Sequence, residues 1–411
     1  MPDYVAIARR ITLTLFAAQS LASAGFIAAS TVSAIAGAQL SGQPTWAGVP
    51  AAMYLAGSAL AAPIWGVTMD RLGRRAALAL GLGAGVVGAI VAGLAVNGQI
   101  LGVFLGGLVL MGAANAAVQL GRFVAAEVHP PPARGRAISN VVIGGTVGAV
   151  LGPLLVGPAG HWMHARGWDE LSGAYLASAF LLLLGVVVVT TWLRPEPREV
   201  GRAIAELYPE TGIDAKAARS LRQLMRVPGV VVAMGAMVFG QVVMVMLMVI
   251  TSLHMKEHQH GLGDISLVIA SHTFGMFAFS IISGRLADRY GRRPVIAVGA
   301  ATLILACLAA PLSPAVLPIA VALFLLGLGW NFCYVGGSSL LSDQLSPAER
   351  ARTQGFNDLL ISLASATASL FSGVVFATVG YAAMGLLGAV VALIPLLMLL
   401  TLRRTTVVAA S

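Results

Sequence analysis

Two copies of one charged decapeptide carry the clearest chemistry in this chain. The first copy runs from Gly66 to Arg75 and reads GVTMDRLGRR, and the second runs from Gly284 to Arg293 and reads GRLADRYGRR, so six of ten positions are identical. Asp and Arg at this spacing can form charge-assisted hydrogen bonds, and the Gly before the final Arg pair permits a tight turn. Each copy therefore predicts an ion-pair network.

Acidic residues farther along the chain repeat at nearly the same offset. Asp70 and Asp288 are 218 residues apart, Glu127 and Asp343 are 216 apart, and each of the latter two stands seven residues before an Arg-x-Arg sequence. We expect these carboxylates to bind the last arginines of each decapeptide, forming a latch that stabilises one conformation. The predicted latch residues are Gly66, Asp70, Arg71, Gly73, Arg74, Arg75 and Glu127 in the first half, and Gly284, Asp288, Arg289, Gly291, Arg292, Arg293 and Asp343 in the second.

Two charged residues lie inside long apolar runs, where a charge is costly unless it is partnered. We expect Arg122 to face the protein interior and to pair with Asp358 or Glu127, or with an anionic substrate; snorkelling to lipid headgroups is the alternative. Asp358 could carry a proton or, when paired with Arg122, act as a gate, and gating is the preferred interpretation.

Catalytic and metal-binding patterns are missing from the sequence. It has no P-loop, no HExxH sequence and no Ser–His pair on one helix face. The two cysteines lie in apolar runs, and histidines in predicted outer loops are interpreted as incidental, with metal capture or pH sensing as the alternative. We therefore predict no enzyme activity, no cofactor and no metal site.

The elements that must position these residues are membrane helices. Hydrophobic residues make up 58% of the 411-residue chain and charged residues only 10%, whereas soluble proteins carry roughly 25% charge. Because a bilayer core needs about 20 apolar residues per helix, twelve runs qualify. They lie near residues 11–38, 47–69, 76–97, 100–126, 137–159, 173–193, 229–253, 264–287, 294–313, 315–342, 354–378 and 381–402.

Charge distribution predicts the orientation of these helices. Most of the 25 Lys and Arg residues fall in alternate loops, which by the positive-inside rule places both termini in the cytoplasm. The net charge of +9 is therefore an orientation signal and not a nucleic-acid surface. A polar, Pro-containing stretch separates six runs from six, so the predicted domains are 1–193, a linker 194–228 and 229–411. Within the linker, Lys216 to Arg226 is expected to form a helix on the membrane surface or a solvated helix.

At the decapeptides the chain resembles the major facilitator superfamily, whose transporters carry G-x-x-x-D-R-x-G-R-R after the second helix and often a weaker copy after the eighth. The resemblance implies an all-α membrane protein with twelve transmembrane helices in two pseudo-symmetric six-helix bundles. It also implies a cavity near the membrane midplane that opens alternately to each side.

In the resembling family, the first, fourth, seventh and tenth helices line this cavity. On the fourth, Asn115, Gln119 and Arg122 share one helix face, and on the tenth Asn331, Tyr334 and Ser338 do so. With Gln19 on the first helix and Gln241 on the seventh, these residues form the predicted cavity lining; helix-to-helix hydrogen bonding is the alternative.

The fifth helix resembles the antiporter motif of the drug-exporting members. Gly148, Gly152, Pro153 and Gly157 match it, whereas Val156 stands where a second Gly is expected. Gly144, Gly148 and Gly152 recur every four residues and also predict close helix packing, and Pro153 permits a kink. The Arg typical of the fourth helix in drug exporters is replaced by Leu108, so its proton-coupling role does not transfer.

These observations predict a secondary transporter of the bacterial inner membrane that acts as a monomer. It is expected to export a small organic solute in exchange for protons or another coupling ion. Proton-linked uptake of an organic anion is the first alternative, and a non-transporting receptor or intramembrane enzyme is a remote one.

Overall fold

The computed structural model describes residues 4–208 and 219–408, and these residues contain helices and no strand. Long apolar sequences form the helices because every backbone polar group must be satisfied internally in lipid. The helices are α1 (Tyr4–Ser41), α2 (Val49–Leu72), α3 (Arg74–Asn97), α4 (Leu101–Glu127), α5 (Arg134–Leu154), α6 (Val156–His164), α7 (Ser172–Trp192), α8 (Pro197–Leu207), α9 (Leu221–Leu224), α10 (Pro228–Glu257), α11 (Leu262–Phe277), α12 (Ser280–Tyr290), α13 (Arg292–Ala309), α14 (Val316–Asp343) and α15 (Pro347–Val408).

The described residues contain eleven apolar segments long enough to cross a membrane, and the last of them accounts for two crossings. That segment has 49 residues, more than twice the roughly 20 that one crossing needs. Gly380 interrupts it with φ 79° and ψ 179°, a backbone conformation that favours glycine. The described residues therefore contain enough apolar helix for twelve membrane crossings, and the predicted fold class is confirmed.

Two of the predicted runs are not continuous helices. The fifth run divides at Leu155, two residues after Pro153, into α5 and α6, as expected where proline removes a backbone donor. The eighth run divides at Ala278 and Phe279 into α11 and α12, a break that the sequence analysis did not predict. The ends also differ, because α1 begins at Tyr4 and α15 at Pro347, seven residues before each expected start.

The described part of the linker contains a helix that was not predicted, and its residues 219–226 do not form the continuous helix that was predicted. Pro197 occupies the first turn of α8, a position that proline favours. The expected surface helix from Lys216 to Arg226 is corrected for its described part, which contains only the four-residue α9 closed by a Ser220–Gln223 capping box. Arg219 binds a carboxylate instead of facing lipid, and Lys216 lies outside the described residues.

The described chain divides into two compact units. The first unit holds residues 4–43, 49–208 and 261–270, and the second holds 44–48, 219–260 and 271–408. In the first unit α1 packs closely on α5 because glycines line the contact: a Cβ at Gly144 would lie 2.5 Å from the Phe16 carbonyl oxygen, and one at Gly152 would lie 2.4 Å from that of Ala24. In the second unit, α10, α14 and α15 surround an apolar core that includes Met237. Both cysteines, Cys307 and Cys333, also belong to the second unit and are fully buried.

Candidate functional site

The first latch is formed by Asp70, Arg74 and Glu127, which α2, α3 and α4 bring together in the first unit. Arg74 Nη1 donates to Asp70 Oδ1 at 2.7 Å, while its Nε and Nη2 donate to Glu127 Oε2 and Oε1 at 2.9 and 3.2 Å. This two-point contact with Glu127 is the strong, directional form of an Arg–carboxylate pair. Arg74 is 17% exposed and Glu127 29%, whereas Asp70 is 73% exposed, so the pair with Glu127 is the better shielded.

Glu196 completes the first latch from the linker, and the sequence analysis missed it. Its Oε1 accepts hydrogen bonds from the backbone nitrogens of Arg74 and Arg75 at 2.6 and 3.4 Å. These are orphan donors at the amino terminus of α3, where a negative charge is also favoured. Gly73 permits the contact because its φ of 90° suits glycine. Glu196 stands between two prolines that fix the chain locally, which is the sequence signal that could have identified it.

The second latch repeats the geometry with Asp288, Arg292 and Asp343 in the second unit. Arg292 Nη1 donates to Asp288 Oδ1 at 2.7 Å, and Nε donates to Asp343 Oδ2 at 3.1 Å. Arg292 is 25% exposed and Asp343 50%. Gly291 has φ 92°, nearly the value at Gly73. The second latch is therefore the more solvated copy and binds its far carboxylate through a single hydrogen bond.

The other basic residues of the decapeptides form no side-chain ion pair with any described residue. Arg289 lies over the Tyr290 ring, 5.3 Å from its centre. Arg71, Arg75 and Arg293 form neither an ion pair nor a contact with an aromatic ring among the described residues. A Cβ at Gly66 or at Gly284 would meet nothing within 4 Å. The structure therefore concentrates each predicted latch on one Asp, one Arg and one distal carboxylate.

Arg122 lies on α4, one turn and a half before Glu127, and is half-buried. Its guanidinium lies 4.9 Å from the centre of the exposed Phe123 ring, and its buried Nε has no hydrogen-bond partner among the described residues. Glu127 is bound by Arg74 instead, so within the first unit the expected Arg122–Glu127 pair is not formed. An arginine with a buried, unsatisfied donor is poised to receive an acceptor.

The remaining predicted cavity residues of the first unit differ in exposure. Gln119 is exposed and Asn115 half-buried, and neither forms a side-chain hydrogen bond with a described residue. Gln19 is 8% exposed, and its Nε2 lies 3.4 Å from Ser23 Oγ on the next turn of α1. Two amides on α4 thus stay free to bind a solute, whereas Gln19 is occupied by its own helix.

In the second unit, Gln241 and Tyr334 are joined through a residue that the sequence analysis missed. Trp330 Nε1 donates to Gln241 Oε1 at 2.6 Å, and its ring stacks on Tyr334 with 4.9 Å between centroids and 21° between planes. Phe277 meets the same indole edge-on at 6.0 Å. Trp330 lies one turn before Tyr334 on α14, so a helix-face count that included aromatic residues would have found it. Ser338, one turn farther, is half-buried.

Asn331 is buried and hydrogen-bonded within the second unit, an arrangement that favours the helix-bonding alternative over the predicted cavity role. It is 1% exposed, and its Nδ2 donates to the Met276 carbonyl oxygen at 2.6 Å and to Ser280 Oγ at 2.8 Å, while its Oδ1 accepts from Ser283 Oγ. These partners flank the break between α11 and α12. Asn331 therefore satisfies backbone and hydroxyl groups that the interrupted helix exposes, which is the helix-bonding alternative.

Asp358 lies about three turns inside α15, deeper than the expected helix start implied. Its Oδ1 accepts from Gln354 Nε2 at 3.0 Å, one turn earlier. Its neighbour Asn357 is fully buried, with Nδ2 3.7 Å from Met237 Sδ and an unpartnered Oδ1. Asp358 therefore has a neutral partner within the second unit, so its carboxylate remains available for a charge or a proton.

An ion pair between Arg219 and Glu349 is the most extensively bonded carboxylate site described, and it was not predicted. Glu349 accepts hydrogen bonds at 2.8 Å from the Arg219 backbone nitrogen, Nε and Nη2, and at 2.9 Å from the Ser346 nitrogen. The Arg219 side chain, followed by the Ser346 amide, holds the pKa of the Glu349 carboxyl far below its ordinary value of 4.5. Arg219 Nη2 also donates to the Gln344 carbonyl oxygen, so the pair ties the described end of the linker to the α14–α15 connection.

Two histidines of the second unit form a stack with a tyrosine. His254 stacks on Tyr381 at 4.0 Å and lies 4.3 Å from His258, ring centre to ring centre. No group of three or more metal-ligating side chains occurs within 4–208 or 219–408.

Comparison with known proteins places this geometry in a family. The family model of the Major Facilitator Superfamily matches residues 15–261 and 232–410. Over 391 residues, 94% of this chain and 90% of the relative, it is 34% identical to the uncharacterized MFS-type transporter YdeG of Bacillus subtilis. It is 30% identical to the riboflavin transporter RfnT of Brucella anthropi, with 89% of each chain covered. Its fold is similar to that of the xylose transporter XylE from E. coli, with a TM-score of 0.67 at 17% identity over 94% of this chain and 95% of that one.

The apolar helices, the duplicated Asp–Arg–carboxylate triads and these matches are those of a membrane transporter. The chain belongs to the major facilitator superfamily. It is accordingly a multi-pass membrane transporter and not an enzyme.

Proposed function

We propose that this transporter carries a small, planar organic solute, and that the aromatic and amide face of the second unit binds it. The observation that carries the proposal is the cluster of Trp330, Tyr334 and Gln241. The two rings stack at 4.9 Å while both residues remain half-buried, so they offer flat π-surface beside a hydrogen-bonding amide.

Similarity to a riboflavin transporter supports this substrate class. RfnT is 30% identical over most of both chains, and riboflavin contains a flat conjugated ring system. Stacking needs a π-face and an amide adds orientation, so rigid heterocycles suit the cluster better than flexible aliphatic solutes.

We propose export in exchange for protons as the transport mode. The chain has no nucleotide-binding sequence, so transport draws on an ion or solute gradient. Asp358, with only a neutral partner within its unit, is the proposed gate residue, and a proton site there is the alternative. Leu108 stands where drug exporters carry an arginine, so any proton coupling must use another residue.

Uptake of an organic anion is the second candidate, and Arg122 favours it. The unsatisfied Nε of Arg122 lies on the α4 face that carries Asn115 and the exposed Gln119. A carboxylate or phosphate on the solute would supply the acceptor that Arg122 lacks.

We propose that the domains 1–193 and 229–411 alternate between two arrangements around the solute, joined by the linker 194–228. Both latches would stabilise one and the same arrangement. We further propose that both termini lie on the cytoplasmic side of the inner membrane and that the functional unit is a monomer. These assignments are supported by the arginine-rich loops and by the family's repeat architecture.

Transport by purified protein in proteoliposomes tests the proposal. Riboflavin and other planar heterocycles should show counterflow, a sugar of similar polarity should not, and an imposed proton gradient should drive net flux. Trp330→Ala should abolish counterflow of the planar solutes, Trp330→Phe should retain part of it, and Trp162→Phe serves as the matched control. Equal counterflow by Trp330→Ala and wild type would refute the assignment of the site.

A further inference from the structure

A groove on the first unit follows the amino-terminal turns of α1 and is closed on one side by the end of α7. Its volume is about 630 Å³. The lining residues combine two arginines with an otherwise almost wholly apolar surface: Val5, Ala6, Arg9, Arg10, Leu13, Thr14, Ala17 and Trp192.

The groove results from the helical repeat of α1. Side chains spaced four residues apart on a helix form a ridge. Arg9 and Leu13 lie on one such ridge of α1, Arg10 and Thr14 lie on the next, and the groove runs between the two ridges. The Thr14 hydroxyl donates to the Arg10 carbonyl oxygen at 2.9 Å, so it is not free to bind a ligand. The groove is thus basic at the end nearest the amino terminus of α1 and apolar along the rest of its length.

The positive charges at the amino-terminal end of the groove are not neutralised by any residue within 4–208 or 219–408. Arg9 and Arg10 are both exposed, and neither side chain forms an ion pair or hydrogen bond with any described residue. In contrast, Arg74, Arg219 and Arg292 are each bound to carboxylates. The groove therefore presents two adjacent cations that have no counterion among the residues that the structure describes.

The order of residues along the groove matches the order of chemical groups in a membrane. Trp192 is the last residue of α7 and is 57% exposed, and tryptophan favours the level of the headgroups. The 38 residues of α1 exceed the roughly 20 needed for one crossing, so its first turns reach beyond the hydrocarbon core. Leu13, 58% exposed, lies one turn deeper than Arg9. Cations at headgroup depth above an apolar channel complement a phosphate above an acyl chain.

We propose that this groove is a binding site for an anionic phospholipid, with the phosphate held by Arg9 and Arg10 and one acyl chain lying along Leu13, Ala17 and Trp192. Paired cations at an interhelical groove attract anionic lipid over zwitterionic lipid. The site involves none of the residues proposed to bind the transported solute, so it is independent of the proposed function.

Native mass spectrometry of the purified full-length protein, titrated with phosphatidylglycerol and with phosphatidylcholine, tests the site. Wild type should retain phosphatidylglycerol preferentially. Because each basic residue near the surface contributes comparably to anionic-lipid binding, Arg9→Gln should weaken it about fivefold and Arg9→Gln/Arg10→Gln about 30-fold. The control Arg136→Gln/Arg202→Gln removes the same charge from arginines outside the groove and should leave binding unchanged.

A second pair of variants separates lipid from free phosphate. Trp192→Ala should weaken phosphatidylglycerol binding, while Trp162→Ala, which truncates an equally exposed tryptophan, should not. Inorganic phosphate at millimolar concentration should fail to displace the lipid. The proposal is overturned if the double arginine variant binds phosphatidylglycerol as wild type does, if the control weakens it equally, or if free phosphate displaces it.

Discussion

Arg74 connects three parts of the first unit at once. Its guanidinium binds Asp70 on α2 and Glu127 on α4, and its backbone nitrogen is bound by Glu196 from the linker. The equivalent Arg292 binds Asp288 and Asp343 and has a more exposed distal carboxylate. Equivalent residues of the repeat therefore contribute unequally to stability.

We expect Arg74→Ala to destabilise the purified protein by about 1–3 kcal/mol, because it leaves the partly buried Glu127 without its two-point partner. Arg292→Ala should cost less, about 0–1 kcal/mol, since its carboxylates are better solvated. Thermal unfolding of both variants in one detergent measures the difference. A larger loss in Arg292→Ala would contradict the ranking of the two latches.

Arg122 allows a test of substrate charge. If the Arg122 fork binds an anionic solute group, then Arg122→Lys should impair transport although the charge is kept, because the bidentate geometry is lost. Counterflow of an anionic solute should fall more than that of its neutral analogue. Full activity of Arg122→Ala at normal expression would instead support the snorkelling interpretation.

The contact between helices α1 and α5 depends on glycines, which have no side chain to separate the two backbones. A Cβ at Gly148 would lie 1.9 Å from the Ser20 carbonyl oxygen, so the two backbones touch. Gly148→Ala should force the helices apart and cost about 1–3 kcal/mol. Gly83→Ala in α3 is the matched control, since a Cβ there meets nothing within 4 Å and helix propensity favours alanine. Equal unfolding temperatures for the two variants would disprove the packing argument.

The Arg219–Glu349 pair predicts a specific dependence of stability on pH. The folded-state pKa of Glu349 lies below its ordinary value of 4.5, so its stabilising contribution is complete above that value and decreases as the pH falls below it. Between pH 6 and pH 3.5, wild type should lose more stability than Glu349→Gln, which lacks the ionisation. Glu199→Gln, at an exposed carboxylate of α8, should follow wild type. Parallel curves for wild type and Glu349→Gln would exclude the linkage.

The extent to which sequence predicted this structure depends on the range of the interactions. The number of membrane helices follows from local hydropathy, and the residues of both latches follow from the repeat at offsets of 218 and 216. The sequence analysis did not predict the contacts of Glu196, Trp330 and Glu349. Their partners are 89 to 130 residues away along the chain, and no internal repeat marks these positions. The hydrogen bonds of Asn331 to the α11–α12 break were not predicted, because helix spacing places a residue on a face without showing which neighbour that face meets.

The proposed alternation of the whole molecule between two arrangements makes a prediction about the first latch. A latch that exists in only one state stabilises that state, so weakening it shifts the populations. Asp70→Asn keeps the shape of the side chain but removes its charge, and because the side chain is 73% exposed the substitution creates no buried defect. We expect it to insert normally and to change the ratio of the two states.

Spin-label distances report this ratio when one label is placed in each unit on loops opposite the arginine-rich side. Asp70→Asn should broaden or shift the distance distribution relative to the unmutated latch, and Asp70→Glu, which keeps the charge, should alter it less. Identical distributions for all three proteins would show that the first latch does not set the equilibrium.

Both cysteines of the chain lie in the second unit and are fully buried, with Cys333 packed against the backbone at Gly240 and Gly299 and Cys307 against that at Gly388. A dye that fluoresces only after reacting with a thiol therefore gives no signal on the native protein. Its fluorescence increases only when α13 and α14 separate and expose the cysteines. The first unit has no thiol to react. Heating the unmodified chain with such a dye would record the melting of one half of the repeat alone, and comparison with a whole-protein signal would show whether the duplicated halves unfold together or in turn.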